Sequence, residues 1–463
     1  MFNYLLIFTL FMYLCSVVFP SLPLGLLLSC ICLGIIFYTL FVVGHFVRML
    51  GLLFLTLGGI MLWQSNASFY EYISSFGNML ELLALFGLVP ILAFPIKLGD
   101  YASSLQAIIQ RNVKNSKHLY MMTSSIAYFL SIFMNVATVP MAYYAIKPVL
   151  GFYPLQNEKR FISRAITHGF TMPLMWSPIT PVVGIALSLN GVSWLSILPY
   201  VLPLSLFGLV LDWYLGARVA NKSSNNSILF ASNNQETAAA IEETKSRSMK
   251  RILHIVAAII LLNGLLILAE FLFNLTFITI VSLLVIPFSF CWCLLIKRRK
   301  EYSASLKEYI GSLSKKMNEQ FFIYLSAGFF ISAIQISKTD LLINHWMIRL
   351  ENIVGATIFL LIIPIIPVIF SFIGLHPTIS LALMAEAINP SLLGISANIL
   401  TVVMLVGAVS AFLVGPFNTT IGLMSSIVKE SSFKISNWNI RYTFSYLFCG
   451  CIYIYVIKLI LQT

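Results

Sequence analysis

The chain reads as an all-α polytopic membrane protein, with about 11 transmembrane helices plus two re-entrant hairpins, arranged as two inverted-topology repeats with broken helices. Three observations predict this. Of 463 residues, 59% are hydrophobic and only 10% are charged, where roughly a quarter charged is ordinary for a water-soluble domain. The mean hydropathy of +0.93 is carried by successive apolar runs of about 20 residues, the length that crosses a hydrocarbon core roughly 30 Å thick. The same polar interruptions also recur, in order, in both halves of the chain. The runs are continuous and lack strand-like alternation, which argues against a transmembrane barrel. The net charge of +12 is a statement about topology, because the basic residues cluster at the ends of apolar runs. No nucleic-acid partner is expected; the lipid bilayer is.

Residues 1–20 form an N-terminal transmembrane helix, retained because no basic n-region or cleavage pattern marks it as a signal peptide. The first repeat, 21–216, begins with a turn at Pro20–Pro23 and helices to about Gly44 and over 49–63. A polar segment, Gln64 to Asn78, leads to an apolar run over 81–105 that Pro90 and Pro95 interrupt. Arg111, Lys114 and Lys117 precede the next apolar segment, and Lys147, Lys159, Arg160 and Arg164 follow it. Basic flanks at both ends put both ends on one side, so 119–147 is expected to be a re-entrant hairpin. Its tip, Asn135-Val-Ala-Thr138-Val-Pro140, would lie at mid-membrane, where irregular backbone is tolerated only inside protein or beside a cavity. A broken helix over 165–189, interrupted at Trp176-Ser-Pro-Ile-Thr-Pro181, and a helix over 193–215 complete the repeat. Residues 217–251, rich in Ser, Asn, Lys and Arg, read as a cytoplasmic linker.

The second repeat, 252–463, has helices over 252–273 and 275–296 that end at Lys297-Arg-Arg-Lys300. An interfacial amphipathic helix is expected over 301–318, then a helix over 321–345. A second hairpin, 353–390, turns at Gly374-Leu-His-Pro-Thr378. A second broken helix, 394–428, is interrupted from Gly415 to Thr420, and a last helix runs over 441–460. The N-terminus is placed in the cytoplasm and the C-terminus outside a plasma membrane.

The repeat rests on three landmarks. Ser177-Pro-Ile-Thr-Pro-Val-Val-Gly184 matches Gly415-Pro-Phe-Asn-Thr-Thr-Ile-Gly422, pairing Pro178 with Pro416 and Gly184 with Gly422. Pro140 falls opposite Pro377, and Lys97-Leu-Gly-Asp100 opposite Ser337-Lys-Thr-Asp340. Inverted repeats with broken helices near the midplane are a secondary-transporter architecture.

These residues resemble the ion transporter superfamily, which includes the divalent anion:sodium symporters, citrate carriers and arsenite exporters. The resemblance covers about residues 20 to 463. Its sharpest point is Phe133-Met-Asn135-Val-Ala-Thr138, similar to the Ser-Asn-Thr-Ala-Thr hairpin tip of the divalent anion symporters, with Asn135 and Thr138 matching and Met134 and Val136 departing. In the second tip Gly374-Leu-His-Pro-Thr378 stands where the family has Ser-Asn-Thr. The resemblance implies a mobile domain of two hairpins and two broken helices against a scaffold that forms a homodimer.

Where a helix unwinds, backbone groups are freed and half-helix N-termini carry partial positive charge. Asn135, Thr138, Ser177 and Thr180 are therefore expected to form one substrate- or ion-binding cluster. His376, Thr378, Asn418, Thr419 and Thr420 form the related one. Pro140, Pro178, Pro181, Gly184, Pro377, Gly415, Pro416 and Gly422 are read as helix-break residues. A single Ser or Thr in such a run more often bonds its own helix; the weight lies on the paired breaks. His376 and Glu386 are candidates for proton coupling. Lys97 with Asp100 and Lys338 with Asp340 fit snorkelling near helix ends, and Asp212 reads as structural.

The seven cysteines lie in apolar runs without metal-ligand spacing. No catalytic residue, metal or cofactor is expected beyond Na⁺ or H⁺ as coupling ion, and no nucleotide-binding loop is present. The sequence thus predicts a non-enzymatic secondary active transporter of a small, anionic organic solute, elevator-like in motion. An ion antiporter or oxyanion exporter is the alternative within that architecture, and a membrane-embedded enzyme or lipid-carrier flippase is the rival from another class.

Overall fold

The computed structural model describes residues 2–21, 23–99, 101, 113, 115–151, 153, 155–221, 238–273 and 275–461. Every regular element among them is helical. A helix satisfies the backbone groups of a long apolar run within the run itself, as lipid requires. Helices α1 (Phe2–Val18), α2 (Gly25–Leu40) and α3 (His45–Gln64) come first. The polar segment after them holds a short helix, α4 (Phe69–Ser74). A capping box starts it: Ser68 Oγ accepts from the Glu71 amide, and the Glu71 carboxylate accepts from the Ser68 amide at 2.6 Å. Helices α5 (Leu80–Leu88) and α6 (Ala93–Leu98) are separated by a 3₁₀ turn over Val89–Leu92, where Pro90 removes a backbone donor.

The next elements are α7 (Ser116–Met134), α8 (Thr138–Leu150), α9 (Glu158–Thr171), α10 (Pro181–Asn190) and α11 (Trp194–Asn221). Then come α12 (Ala238–Leu272), α13 (Phe277–Leu295), α14 (Arg299–Ile336) and α15 (Thr339–Val354). The chain closes with α16 (Ala356–Ile362), α17 (Ile365–Ile373), α18 (Pro377–Ala387), α19 (Ala397–Val414), α20 (Thr419–Val428) and α21 (Ser432–Leu461). Ten stretches among the described residues are long and apolar enough to cross a membrane. One of these, Ser116–Leu150, is a folded-back pair of arms, and α1 and α2, outside this count, are shorter apolar helices. Only 22% of the apolar window of α3 or of α12 is covered by protein, against 89% for Ala397–Val428. The first two offer their flanks to lipid, while α19 and α20 run through the protein's centre.

Close contacts give the direction of the helices on either side of each tip. Along α7, Tyr120 meets Phe161, Ser124 meets Gly169, and Ile132 accepts from Ser177. Both residue numbers rise together, so α7 and α9 are parallel and α8 must return the chain between them. Tyr153, after α8, donates to the Val113 carbonyl before α7 at 3.0 Å, which closes the hairpin on its basic side. In the second half Pro364 meets Gly407 and Ser371 meets Gly415, so α17 and α19 are parallel and α18 returns. Gly169 and Gly407 play the same part: a Cβ on Gly169 would lie 2.1 Å from the Ser124 carbonyl oxygen, and one on Gly407 2.7 Å from that of Pro364.

The two broken helices, α9–α10 and α19–α20, lie antiparallel. Lys159 near the start of α9 reaches Glu430 beyond α20 at 3.1 Å, and Asn190 at the end of α10 reaches the Met404 sulfur at 3.4 Å. Ser196, just past α10, bonds Asn398 at the start of α19 at 3.1 Å.

The structure changes several expectations. Gly184 and Gly422 lie inside α10 and α20, not in the breaks. A glycine costs a helix only about 1 kcal/mol, and at Gly184 the missing side chain admits Ile278 of α13. Pro140 and Pro181 fall in the first turn of α8 and α10, where a missing amide is harmless. Residues 301–318 are not a separate interfacial helix: they open the 38-residue α14. Their apolar stripe meets protein, with Tyr302 packing on Phe94 and Phe290, and Tyr309 on Phe94. The expected helix over 321–345 divides at Lys338, which adopts a left-handed backbone. Asp100, Arg111, Lys114 and much of 217–251 lie outside the described residues.

Candidate functional site

Both helix breaks fall where Pro and Gly interrupt the apolar runs. At the first, α9 ends in a 3₁₀ turn over Met172–Met175, and the chain is irregular until Pro181. Its freed carbonyls are answered by side chains. Ser205 of α11 donates to Met172 O at 2.9 Å, and Thr180 to Leu174 O at 3.0 Å and Ser177 O at 2.8 Å. The Trp194 indole donates to Trp176 O at 2.8 Å, while the Trp176 indole donates to the Tyr128 hydroxyl at 3.0 Å. Ser177 donates to Ile132 O at 3.1 Å, which ties the break to the neighbouring hairpin tip. The hydroxyls of Ser177 and Thr180 are thus turned onto backbone.

At the second break, Gly415–Asn418, the last four carbonyls of α19 are answered in turn. Asn418 donates to Ala411 O at 3.2 Å and Phe412 O at 2.9 Å. Asn439 of α21 donates to Leu413 O at 2.9 Å, and Ser436 to Val414 O at 2.5 Å. The Asn418 Oδ1 caps α20 by accepting from Ile421 N at 2.9 Å.

The first hairpin turns at Asn135, whose φ of 46° puts a non-glycine residue in the left-handed region. Thr138, three residues on, is fully buried and its hydroxyl has no partner. Thr420, in the first turn of α20, is likewise buried and unpartnered, whereas Thr419 is exposed. A buried hydroxyl without a partner is costly and calls for an explanation. At the second tip His376 caps α18: its Nδ1 accepts from the Thr378 amide at 3.4 Å and lies 2.6 Å from Thr378 Oγ1 and 3.3 Å from the Tyr324 hydroxyl. Tyr324 also bonds Thr378, and the His376 ring lies edge-on to Phe86 and Phe412. Tyr324 joins this cluster from α14 and carries no local signature in the sequence.

The half-helices meet in pairs. α10 packs on α18, and α8 on α20. Within each pair both members start at the breaks or tips, which gives four N-termini there, at Thr138, Pro181, Pro377 and Thr419. Glu386 stands at the far end of α18 and accepts from Gln335 at 3.0 Å. Lys97 is at the exposed end of α6.

Sequence reasoning missed one group. Asp212 is fully buried and accepts from Tyr120 at 2.7 Å and Ser124 at 2.5 Å, with His168 Nδ1 at 2.6 Å. No histidine-containing metal cluster occurs among the described residues.

Solved structures share this fold, among them two transporters. The YdaH transporter of Alcanivorax borkumensis, described as having an unusual topology, aligns with 89% of this chain and 98% of its own, at a TM-score of 0.61 and 14% identity. MtrF of Neisseria gonorrhoeae, described as illuminating a class of antimetabolite efflux pumps, aligns with 89% of this chain and 94% of its own, at 0.57 and 12%. The chain has the polytopic helical fold of these transporters. No protein-family model matches it, and no curated protein matches its sequence.

Proposed function

We propose that the protein is a secondary active transporter of a small, anionic organic solute, driven by H⁺ or Na⁺ and moving its hairpin domain elevator-fashion. One observation carries this reading: four half-helix N-termini begin at the two breaks and the two hairpin tips, two of them beside the buried, unpartnered hydroxyls of Thr138 and Thr420. Helix N-termini attract negative charge, and a free hydroxyl inside protein is a hydrogen bond awaiting a ligand. The opposed broken helices support the inverted-repeat arrangement on which alternating access depends. His376, with Tyr324 and Thr378, binds solute or carries protons on the second side. Membership of the ion transporter superfamily, a homodimeric scaffold and a plasma-membrane topology with the basic side and the N-terminus in the cytoplasm belong to the same proposal. The folds of its neighbours serve transport, which favours this over an enzyme or a flippase. The description of MtrF favours export as the direction to test first.

The test uses purified protein in liposomes under imposed pH or Na⁺ gradients with a panel of radiolabelled carboxylates. Gradient-dependent flux that Thr138→Val or Thr420→Val lowers about tenfold, a loss of ~1.4 kcal/mol of binding, is the expected result. No flux across the panel under either gradient, or full flux in both variants, would overturn the reading. If His376→Ala leaves the rate and its pH dependence unchanged, that residue has no part in it.

A further inference from the structure

His168 and Asp212 lie outside the hairpin tips and use no ligand-binding hydroxyl, yet they form the most completely buried ionisable pair described. Both are 0% exposed, as are Ser124, Asn439 and Tyr442, while Tyr120 is 2% and Arg164 4% exposed. The two residues are 44 apart in sequence, on α9 and α11. An intramembrane ionisable group in such a place defaults to a functional role, because lipid and protein interiors make it costly.

The hydrogen-bond directions decide how many protons the pair holds. Asn439 Nδ2 donates to Leu413 O at 2.9 Å, so its Oδ1 is the atom facing His168 Nε2 at 3.1 Å. An amide oxygen only accepts, hence Nε2 carries a proton. Nδ1 faces Asp212 Oδ1 at 2.6 Å. With an ionised carboxylate and a bare Nδ1, two lone pairs would oppose each other at that distance. The geometry requires one more proton in the bridge, shared by the pair as a unit. Tyr120 and Ser124 hold the carboxylate in place from α7 whether or not that proton is present. The Tyr442 ring stacks on the imidazole at 4.1 Å from α21.

We propose that His168 and Asp212 form a proton-binding site that couples proton occupancy to both helix breaks. The ionisable groups facing the pair from its packed neighbours are Tyr120 of α7, Arg164 of α9 and Tyr442 of α21, with Asp212 itself supplied by α11. His168 lies four residues before Met172, where the first break starts. Through Nε2 it reaches Asn439, which holds the last turn of α19 just before the second. Loss of the bridging proton to water removes the α9–α11 bond, frees the imidazole to rotate, and withdraws the donor from Asn439. Proton binding as such stands on this geometry alone; its coupling to solute rests on the transport reading above.

The test is ¹⁵N NMR of histidine-labelled full-length protein in lipid, with the His168 signal assigned as the one lost in His168→Asn among six histidines. Across about pH 5 to 9, the wild-type Nδ1 resonance is expected to move from protonated to unprotonated while Nε2 stays protonated. In Asp212→Asn the introduced amide donates to Nδ1, the cluster stays folded, and the signal no longer titrates. A wild-type His168 that does not titrate, or one that titrates alike in Asp212→Asn, overturns the site. In pyranine-loaded liposomes with succinate or citrate outside, Asp212→Asn is expected to lose about tenfold or more of proton-linked flux while keeping counterflow. Unchanged proton-linked flux in that variant overturns the coupling role. Absence of flux in wild type, with the NMR titration intact, counts against the transport reading and leaves the proton site standing.

Discussion

The two helix breaks occupy equivalent places in the fold and are held by different chemistry. The first is held by hydroxyl and indole groups, Ser205, Thr180 and Trp194, with Trp176 anchored in turn on Tyr128. The second is held by amides and one serine, Asn418, Asn439 and Ser436. The freed carbonyls of the first break are answered from its own half of the chain, and the other half bonds it at the Met175 sulfur, from the Tyr446 hydroxyl at 3.1 Å. The second answers also to His168, through Asn439. Two breaks of similar placement are thus held unequally.

Breaking Asn439 should give the largest effect. Asn439→Leu leaves Leu413 O and His168 Nε2 buried without partners, and at about 1–3 kcal/mol for each orphaned group should destabilise on the order of 3 kcal/mol. Thermal unfolding in detergent reads this. A loss no larger than that of Ser205→Ala at the first break would contradict the inequality. Next come the glycines. Gly169→Ala should cost near the top of the ~1–3 kcal/mol range for overpacking, and Gly407→Ala less, since the second close approach is looser by the distances above. Equal shifts in unfolding temperature would say that the two crossings are equally tight.

Asn418→Ala removes a cap and two carbonyl partners, for about 1–2 kcal/mol. Thr138→Val and Thr420→Val remove hydroxyls that bond nothing, so stability should stay within ~0.5 kcal/mol even as solute flux falls. The smallest effect belongs to Glu430, whose carboxyl is held below its ordinary range by hydrogen bonds from Lys434 and then Lys159. Its stabilising contribution is present above the unfolded carboxylate value and is lost as pH falls through the lower folded value. Wild type and Glu430→Gln should therefore converge in unfolding temperature on acidification and differ slightly at neutral pH. The pair is exposed and screened, so added salt should erase the difference.

The turn between α7 and α8 was legible because charge is linear information: Lys117 and Lys147 bracket a single apolar run. The breaks were legible from Pro178 and Pro416 for the same local reason. Gly184 and Gly422 misled because glycine serves both to break helices and to let neighbours close in. The His168 cluster was illegible. Its members come from α7, α9, α11 and α21, with separations of 92 and 271 residues between bonded partners, and each alone is one polar residue in an apolar stretch. Tyr324 was hidden likewise, reaching His376 across 52 residues.

What Gly169 and Gly407 share is the lack of a side chain, and this sets how the fold can age. A crossing that needs only an absence of atoms on one helix places no demand on the identity of the residue it meets, Ser124 in one half and Pro364 in the other. The residue opposite such a glycine can therefore change while the helices still cross at the same point. Chains that share 14% and 12% of their residues with this one reach the same fold.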